Sequence, residues 1–308
     1  MLVYRNIEQI PLFRNAVLTI GTFDGVHTGH RQVITQMKKR AAEVKGETVI
    51  ITFDPHPRTV VNAAAGVQLI NTLDEKIELL SDIGVDHLVV IPFTEEFAKL
   101  SAEEYIAQFL IRYFNPHTLI IGYDHRFGKG RTGNYELLKQ QSFIYQYHLE
   151  EIPAHILNSI SVSSTRIREA VAAGNMETAR DLLGYHYFFC GKVVEGNKIG
   201  RTIGYPTANL EISEKLKLIP GDGIYAVDVV LPDEPGKLYA GMMSIGFRPT
   251  IGVSDRTIEV NIFDFDRMIY GETIKVIVKK YLRPEVKFNG LDELKHQLAL
   301  DKISALQV

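Results

Sequence analysis

Four short apolar runs set the first constraint on this chain. Residues 16–20 (Ala-Val-Leu-Thr-Ile), 47–53 (Glu-Thr-Val-Ile-Ile-Thr-Phe), 86–91 (Asp-His-Leu-Val-Val-Ile) and 118–121 (Thr-Leu-Ile-Ile) are apolar and β-branched, without polar alternation. A strand with one face in water alternates, whereas a strand covered on both faces does not. Between the runs the spacing turns helical. Val33, Ile34 and Met37 share one helical face, and Thr72, Asp74 and Glu75 mark a capped helix start. Ser101 and Glu104 have capping-box spacing ahead of a helix to about Tyr113. Such alternation predicts an α/β fold with a parallel sheet covered on both faces.

Ligands of such sheets bind beyond the C-terminal ends of the strands. Three loops follow strands and are therefore expected on one edge. They are residues 21–30 (Gly-Thr-Phe-Asp-Gly-Val-His-Thr-Gly-His), residues 54–57 (Asp-Pro-His-Pro) and residues 122–128 (Gly-Tyr-Asp-His-Arg-Phe-Gly). In the first, glycines let backbone approach a ligand and the opening turn of the next helix offers N–H groups to an anion. His27 and His30 add donors that can become cationic. Phosphate handling is the expectation, and a glycine-rich turn with two solvated histidines is the alternative. The third loop continues through residues 129–134, basic and glycine-rich, which read equally well as a surface turn. Ser163, Ser164 and Thr165 precede Ile167, Ala170 and Val171, which predicts a helix start with Arg168 one turn inside. That string is either a phosphate clamp or an N-cap followed by a solvated arginine.

Past Gly184, which reads as the C-cap of a helix over 176–183, the texture changes. Runs over 187–194, 223–231, 238–245, 257–263 and 273–280 are separated by Gly, Pro, Asn or Asp, the pattern of an antiparallel sheet or small barrel. Two domains are therefore expected, 1–184 and 185–308. Leu291, Leu294, Leu298 and Ile303 fit an amphipathic terminal helix packed on the second of them. Residues 196–209 join glycines to Lys198 and Arg201, which can meet phosphates, and to Thr207 and Asn209, whose oxygens suit Mg²⁺. A long hairpin loop with a proline turn accounts for the glycines as well. Alternation puts Glu259 and Asn261 on one face of a strand, where the acid either works or simply points outward.

The 308 residues suffice for two cores, and 45% hydrophobic with 23% charged residues is ordinary for a soluble globular chain. A formal net charge of −3 gives no reason to expect nucleic acid as a partner. Cys190 is the only cysteine, so no intrachain disulfide forms and a reducing compartment fits. Its place after Tyr187, Phe188 and Phe189 suggests a small buried residue. No run approaches the ~20 apolar residues of a membrane span, and Arg5 and Glu8 interrupt any signal core. The expectation is a cytoplasmic protein without a membrane partner, of open oligomeric state.

Taken together, the His27-Thr28-Gly29-His30 loop, Phe53 through Pro57, Gly122 through Gly128 and Ser163 through Arg168 resemble the adenylyltransferase module of prokaryotic bifunctional FAD synthetases. The resemblance implies a Rossmann-like nucleotidylyltransferase domain that joins AMP from ATP to FMN. It gives His27, His30 and Arg168 catalytic roles on the triphosphate. Gly21, Phe23, Asp24, Gly29, Asp124, Ser164 and Thr165 become ATP contacts, and Asp54, Pro55, His56 and Pro57 border the flavin. His125 stands where Phe is common in that family.

The stretch Gly200-Arg201-Thr202-Ile203-Gly204-Tyr205-Pro206-Thr207-Ala208-Asn209 is similar to the signature of riboflavin kinases, joined by residues 221–225, 244–250, 259–261 and 283–288. This second resemblance implies a small antiparallel barrel with a terminal helix that phosphorylates riboflavin with MgATP. Lys198, Gly200, Arg201, Gly204 and Pro206 would meet ATP, Thr207 and Asn209 the Mg²⁺, and Arg283 and Glu285 the flavin, with Glu259 as base. Ser244 and Asn261 replace a usual Asn and a frequent His. Cofactor and partners follow as Mg²⁺, ATP, riboflavin and FMN. Two other readings remain at this point: an FMN adenylyltransferase with a weak kinase domain, and a flavin-sensing regulatory protein.

Overall fold

The computed structural model describes residues 1–61, 66–122, 124–196, 200, 203–247 and 256–308; the side chains of 157 and 159–162 also lie outside the description. The chain forms two compact units, Met1–Ser164 and Thr165–Val308.

The first unit is built on β1 (Leu2–Tyr4), β2 (Val17–Ile20), β3 (Thr48–Asp54), β4 (His87–Pro92), β5 (Thr118–Gly122) and β6 (His148–Ile152). They form one six-stranded sheet in the order β1-β4-β3-β2-β5-β6. Every pairing is parallel. All residues of β2 and β5, and the first five of β3 and β4, are buried, which is why their apolar runs do not alternate. The two strands not anticipated are the edges. β1 has three residues, and the half-exposed β6 carries Glu150 and Glu151; neither leaves a run to read.

Helices make the crossovers: α1 (Thr28–Val44), α2 (Pro57–Val61), α3 (Leu73–Ile83), α4 (Glu95–Ala98), α5 (Ala102–Glu104) and α6 (Tyr135–Tyr145). The capping box of α5 forms as expected, but beyond it residues Tyr105–Phe114 are wound as a π-helix. In α3 the Glu75 N–H donates to Thr72 Oγ1 at 3.3 Å and the Thr72 N–H to Glu75 Oε2 at 2.9 Å.

The helix start expected at Ser163 to Thr165 is corrected. Helix α7 (Ala154–Ala172) begins nine residues before Ser163, directly after Pro153, whose carbonyl accepts from Ile156 N–H. Inside a helix the backbone N–H groups bond to the preceding turn. These residues therefore offer a ligand their side chains and no opening-turn N–H groups.

In the second unit α8 (Met176–Leu183) ends at Gly184 in a left-handed cap. There follow β7 (Phe188–Val194), β8 (Ala208–Glu211), β9 (Gly223–Val230), β10 (Tyr239–Phe247), β11 (Arg256–Ile262) and β12 (Thr273–Arg283). All pair antiparallel and close into a barrel, β10-β11-β8-β7-β12-β9. β8, with four residues, is too short to announce itself. Cys190 is half-buried within β7, less enclosed than its aromatic neighbours suggested.

The terminal helix α9 (Leu291–Leu306) packs on the barrel through Ala305 and Leu298, against Ala226, Met242 and Phe263. Leu291 and Ile303, expected in that face, are exposed. Asp301 takes the buried face instead, receiving Arg283 Nε at 2.8 Å and Nη2 at 2.6 Å. That ion pair sets the rotation of the helix. Among the described residues no helix is long and apolar enough to cross a membrane.

Thr72→Ala removes the hydroxyl acceptor of the α3 capping box and is expected to cost about 1 kcal/mol. Chemical denaturation of the full chain, following the first unit's transition, measures it.

Candidate active sites

Strand β2 lies between β3 and β5, so the chain order reverses there and the loops after β2 and β5 diverge over an open crevice. The loop after β2 carries His27 and His30. His27 is fully buried at the N-cap of α1, and its ring stacks on His30 with centroids 3.8 Å apart. His27 Nε2 lies 2.9 Å from Ser164 Oγ. Gly29 is buried between the histidines in the first turn of α1, where N–H groups have no carbonyl one turn earlier. Phe23, in a left-handed conformation at φ 47°, packs its ring 5.0 Å from His30.

Beneath this loop the charges are buried. Asp24 Oδ1 accepts from the backbone N–H groups of Ile70 (2.9 Å) and Asn71 (3.2 Å). Asp24 thus fastens the loop to the chain ahead of α3, a structural task beyond the nucleotide contact expected of it. Lys76 is buried and donates to Thr52 Oγ1 at 3.3 Å. Burial lowers its pKa against the opposing pull of Asp24 and Asp54. His30 is held well below an ordinary histidine pKa, first by burial and then by His27 and Lys76. It is therefore a neutral donor at rest, consistent with a donor that becomes cationic only as charge builds beside it.

Two cavities open at this edge. The smaller, about 220 Å³, is lined by Gly21, Phe23, His30 and Asp124 among others. The larger, about 750 Å³, is lined by Phe53, Pro57, Phe93, Phe97, Tyr105 and the arginines 58, 126 and 131. The three loops expected on one edge do meet there. Of residues 54–57, Pro57 alone lines the larger cavity; Asp54 and Pro55 are exposed, and His56 accepts from Arg58 N–H through Nδ1. Thr165 and Arg168 belong to the second compact unit. The aromatic and arginine lining escaped the sequence because Phe93, Phe97 and Arg58 form no motif.

In the barrel, β8 pairs with β11 so that Asn209 stands opposite Glu259. Thr207 Oγ1 donates to Glu259 Oε2 at 3.1 Å, and Asn261 Nδ2 donates to the Pro206 carbonyl at 2.6 Å. Gly196 lies so close to the Asn209 amide that any Cβ would collide with it. Glu259 and Asn261 both face inward, lining a cavity of about 340 Å³ with Gly200, Tyr205, Thr207, Met242, Met243, Leu298 and Asp301. A second cavity, about 380 Å³, adjoins it; Thr207 lines both, with Pro206 and residues 265–270 in the second. Gly204 holds a left-handed φ of 85°.

Glu285 accepts from Ser244 Oγ at 3.0 Å, so the serine in the usual Asn position bonds to a residue expected at the flavin. Arg283, also expected there, is engaged with Asp301. Lys198 and Arg201 lie outside the described residues. Asp301 was missed, although an acid in line with Leu294 and Leu298 on an amphipathic helix was a signal. The hydroxyl, amide and carboxylate oxygens of Thr207, Asn209 and Glu259 form a hard donor set that fits Mg²⁺.

A family model described as FAD synthetase matches residues 10–166, and one described as riboflavin kinase matches residues 183–308. An Escherichia coli K12 bifunctional riboflavin kinase/FMN adenylyltransferase is 34% identical over 97% of this chain and 94% of its own. Its Listeria monocytogenes counterpart is 38% identical over 94% and 90%. The chain belongs to the bifunctional riboflavin kinase/FMN adenylyltransferase family. A crystal structure from Streptococcus pneumoniae, described as a macrolide-efflux protein, covers 100% of this chain and 99% of its own at 32% identity and a TM-score of 0.85. That description concerns the Streptococcus protein, whereas both family models concern flavin chemistry.

The buried imidazoles make a pH prediction. Unfolded histidine titrates near 6.5, while His30 is lowered well below this and His125 to about 4. As pH falls below 6.5 the unfolded chain takes up protons that the folded chain refuses, so stability falls toward pH 4 and is retained above 6.5. Thermal unfolding at pH 7.5 and 5 should show this loss, smaller in His30→Gln than in the parent.

Proposed function

We propose that the chain converts riboflavin to FMN in its barrel and FMN to FAD in its parallel-sheet unit, each step using ATP. The observation that carries the reading is the same in both units: two adjoining cavities share a wall beside the expected reactive residues. In the barrel that wall is Thr207, bonded to Glu259; in the sheet unit it is Ile20 and His125, with His30 in the smaller cavity. A transfer enzyme needs this, because donor and acceptor must be held in contact without sharing a site. Residues 1–184 are assigned to adenylyl transfer and 185–308 to the kinase, in keeping with a riboflavin kinase match that begins at residue 183.

For the kinase, riboflavin takes the methionine- and leucine-lined 340 Å³ cavity and ATP the cavity of Pro206 and residues 265–270, with Gly200 and Gly204 shaping the intervening loop and Lys198 and Arg201 meeting its phosphates. Glu259 accepts the proton of the ribityl hydroxyl as its oxygen bonds to the γ-phosphorus and ADP departs. Glu285 and Arg283 border the flavin, the latter through its hold on α9. Thr207 and Asn209 would hold Mg²⁺, which when bound neutralises phosphate charge.

For adenylyl transfer, the nucleotide occupies the cavity of Gly21, Phe23 and Asp124 and lays its phosphates along the opening turn of α1. His27, His30 and Gly29 donate to those phosphates. The sequence resemblance assigns Ser164, Thr165 and Arg168 to the departing pyrophosphate, while Asp24 keeps the histidine loop in place. FMN fills the aromatic cavity above Pro57, with residues 54–56 at its rim. The chain works in the cytoplasm on small molecules, without nucleic acid or membrane.

Flavin products separated after incubation with riboflavin and MgATP test the assignment. Glu259→Ala is expected to slow FMN formation by about 10²–10⁴-fold while FMN-to-FAD conversion survives. His30→Ala is expected to do the reverse. Loss of both steps in either folded variant overturns the division of labour.

A further inference from the structure

Among the described residues of the first unit, His125 is a polar side chain to which adenylyl transfer gives no task. His125 sits in the loop after β5, its backbone N–H donating to the Gly122 carbonyl at 3.1 Å and its ring 5.6 Å from that of Phe127. Its Nε2 is out of contact with solvent and has no hydrogen-bond partner. A buried nitrogen left without a partner pays its desolvation cost uncompensated, so one in a cavity wall calls for a ligand.

Its position says which ligand. Among the described residues, Ile20 and His125 alone line both the nucleotide cavity and the larger flavin cavity. Ile20 brings only hydrocarbon, so His125 is the polar group of the shared wall. Attack requires the acceptor oxygen to come within about 3–3.5 Å of the α-phosphorus, and that can happen only where the cavities meet. Arg58, Arg126 and Arg131 line the larger cavity and no described carboxylate does, so it draws an anion inward. His125 itself stays uncharged near neutral pH, because burial and then Arg131 push its pKa down to about 4. A neutral donor orients an attacking oxygen without cancelling its charge, as a cation at that point would.

We propose that His125 is a specificity-determining residue of adenylyl transfer, donating its Nε2–H to the phosphate of FMN where the two cavities meet and aiming an oxygen at the nucleotide. This rests on the reading of the first unit as an FMN adenylyltransferase. In the step, an FMN phosphate oxygen bonds to the α-phosphorus, the bond from that phosphorus to the bridging oxygen breaks, and pyrophosphate leaves with the electron pair. The His125 proton stays on Nε2 throughout.

Steady-state FAD formation from FMN and MgATP by the full chain tests it, with His125→Phe keeping an aromatic ring and His125→Gln keeping a donor. His125→Phe is expected to raise the KM for FMN by about tenfold or more while the KM for ATP moves by no more than about twofold, and His125→Gln to recover much of the loss. Thermal unfolding of both variants accompanies the kinetics. An unchanged KM for FMN, a parallel rise for FMN and ATP, or a glutamine variant no better than the phenylalanine one overturns the assignment. Failure of the parent protein to make FAD from FMN overturns instead the reading on which it rests.

Discussion

Strand β2 is hydrogen-bonded to β3 on one side and to β5 on the other, and the first site depends on that pairing. Parallel strands end at the same edge, so loops far apart in sequence become neighbours there. The barrel solves the same problem by closure. Pairing β8 with β11 sets Asn209 opposite Glu259 and lets Thr207 reach the carboxylate, across fifty residues of chain.

Low dielectric does the rest of the work in the sheet unit. His30 and Lys76 are buried, the Nε2 of half-buried His125 is out of contact with solvent, and all three groups are held toward their neutral forms. Exposed arginines, in contrast, supply charge at the mouth of the larger cavity. A buried donor is stronger than one in water and needs no reorganisation when charge develops. Asp24 shows the cost side: its carboxylate is spent on two backbone N–H groups that keep the histidine loop in register.

Most of the architecture was legible because burial on both faces leaves an unbroken apolar run, as in β2 to β5. Capping chemistry gave α3 and α5 their starts, since a hydroxyl three residues before a carboxylate satisfies N–H groups locally, and Gly184 gave α8 its end through a left-handed cap. Edge strands β1 and β6 and the four-residue β8 were not legible, because their stability comes from partners and not from their own composition. The helix start at Ser163 was misread for a related reason. A run of hydroxyls caps a helix only if no better start lies upstream, and Pro153 supplies one.

The candidate site residues divide along the same line. Sequence by itself placed His27 and His30 in a turn after a strand and put Glu259 and Asn261 on one face of another, because spacing and residue chemistry are local properties. It also determined the family, through motifs spread over both halves. Only tertiary structure decided that Asp301 turns α9 inward to Arg283, that His30 is neutral, that Ser244 serves Glu285, and that His125 stands between two cavities. Each of those depends on which groups lie across a gap and how much water is excluded, and neither quantity is written in any single stretch of chain.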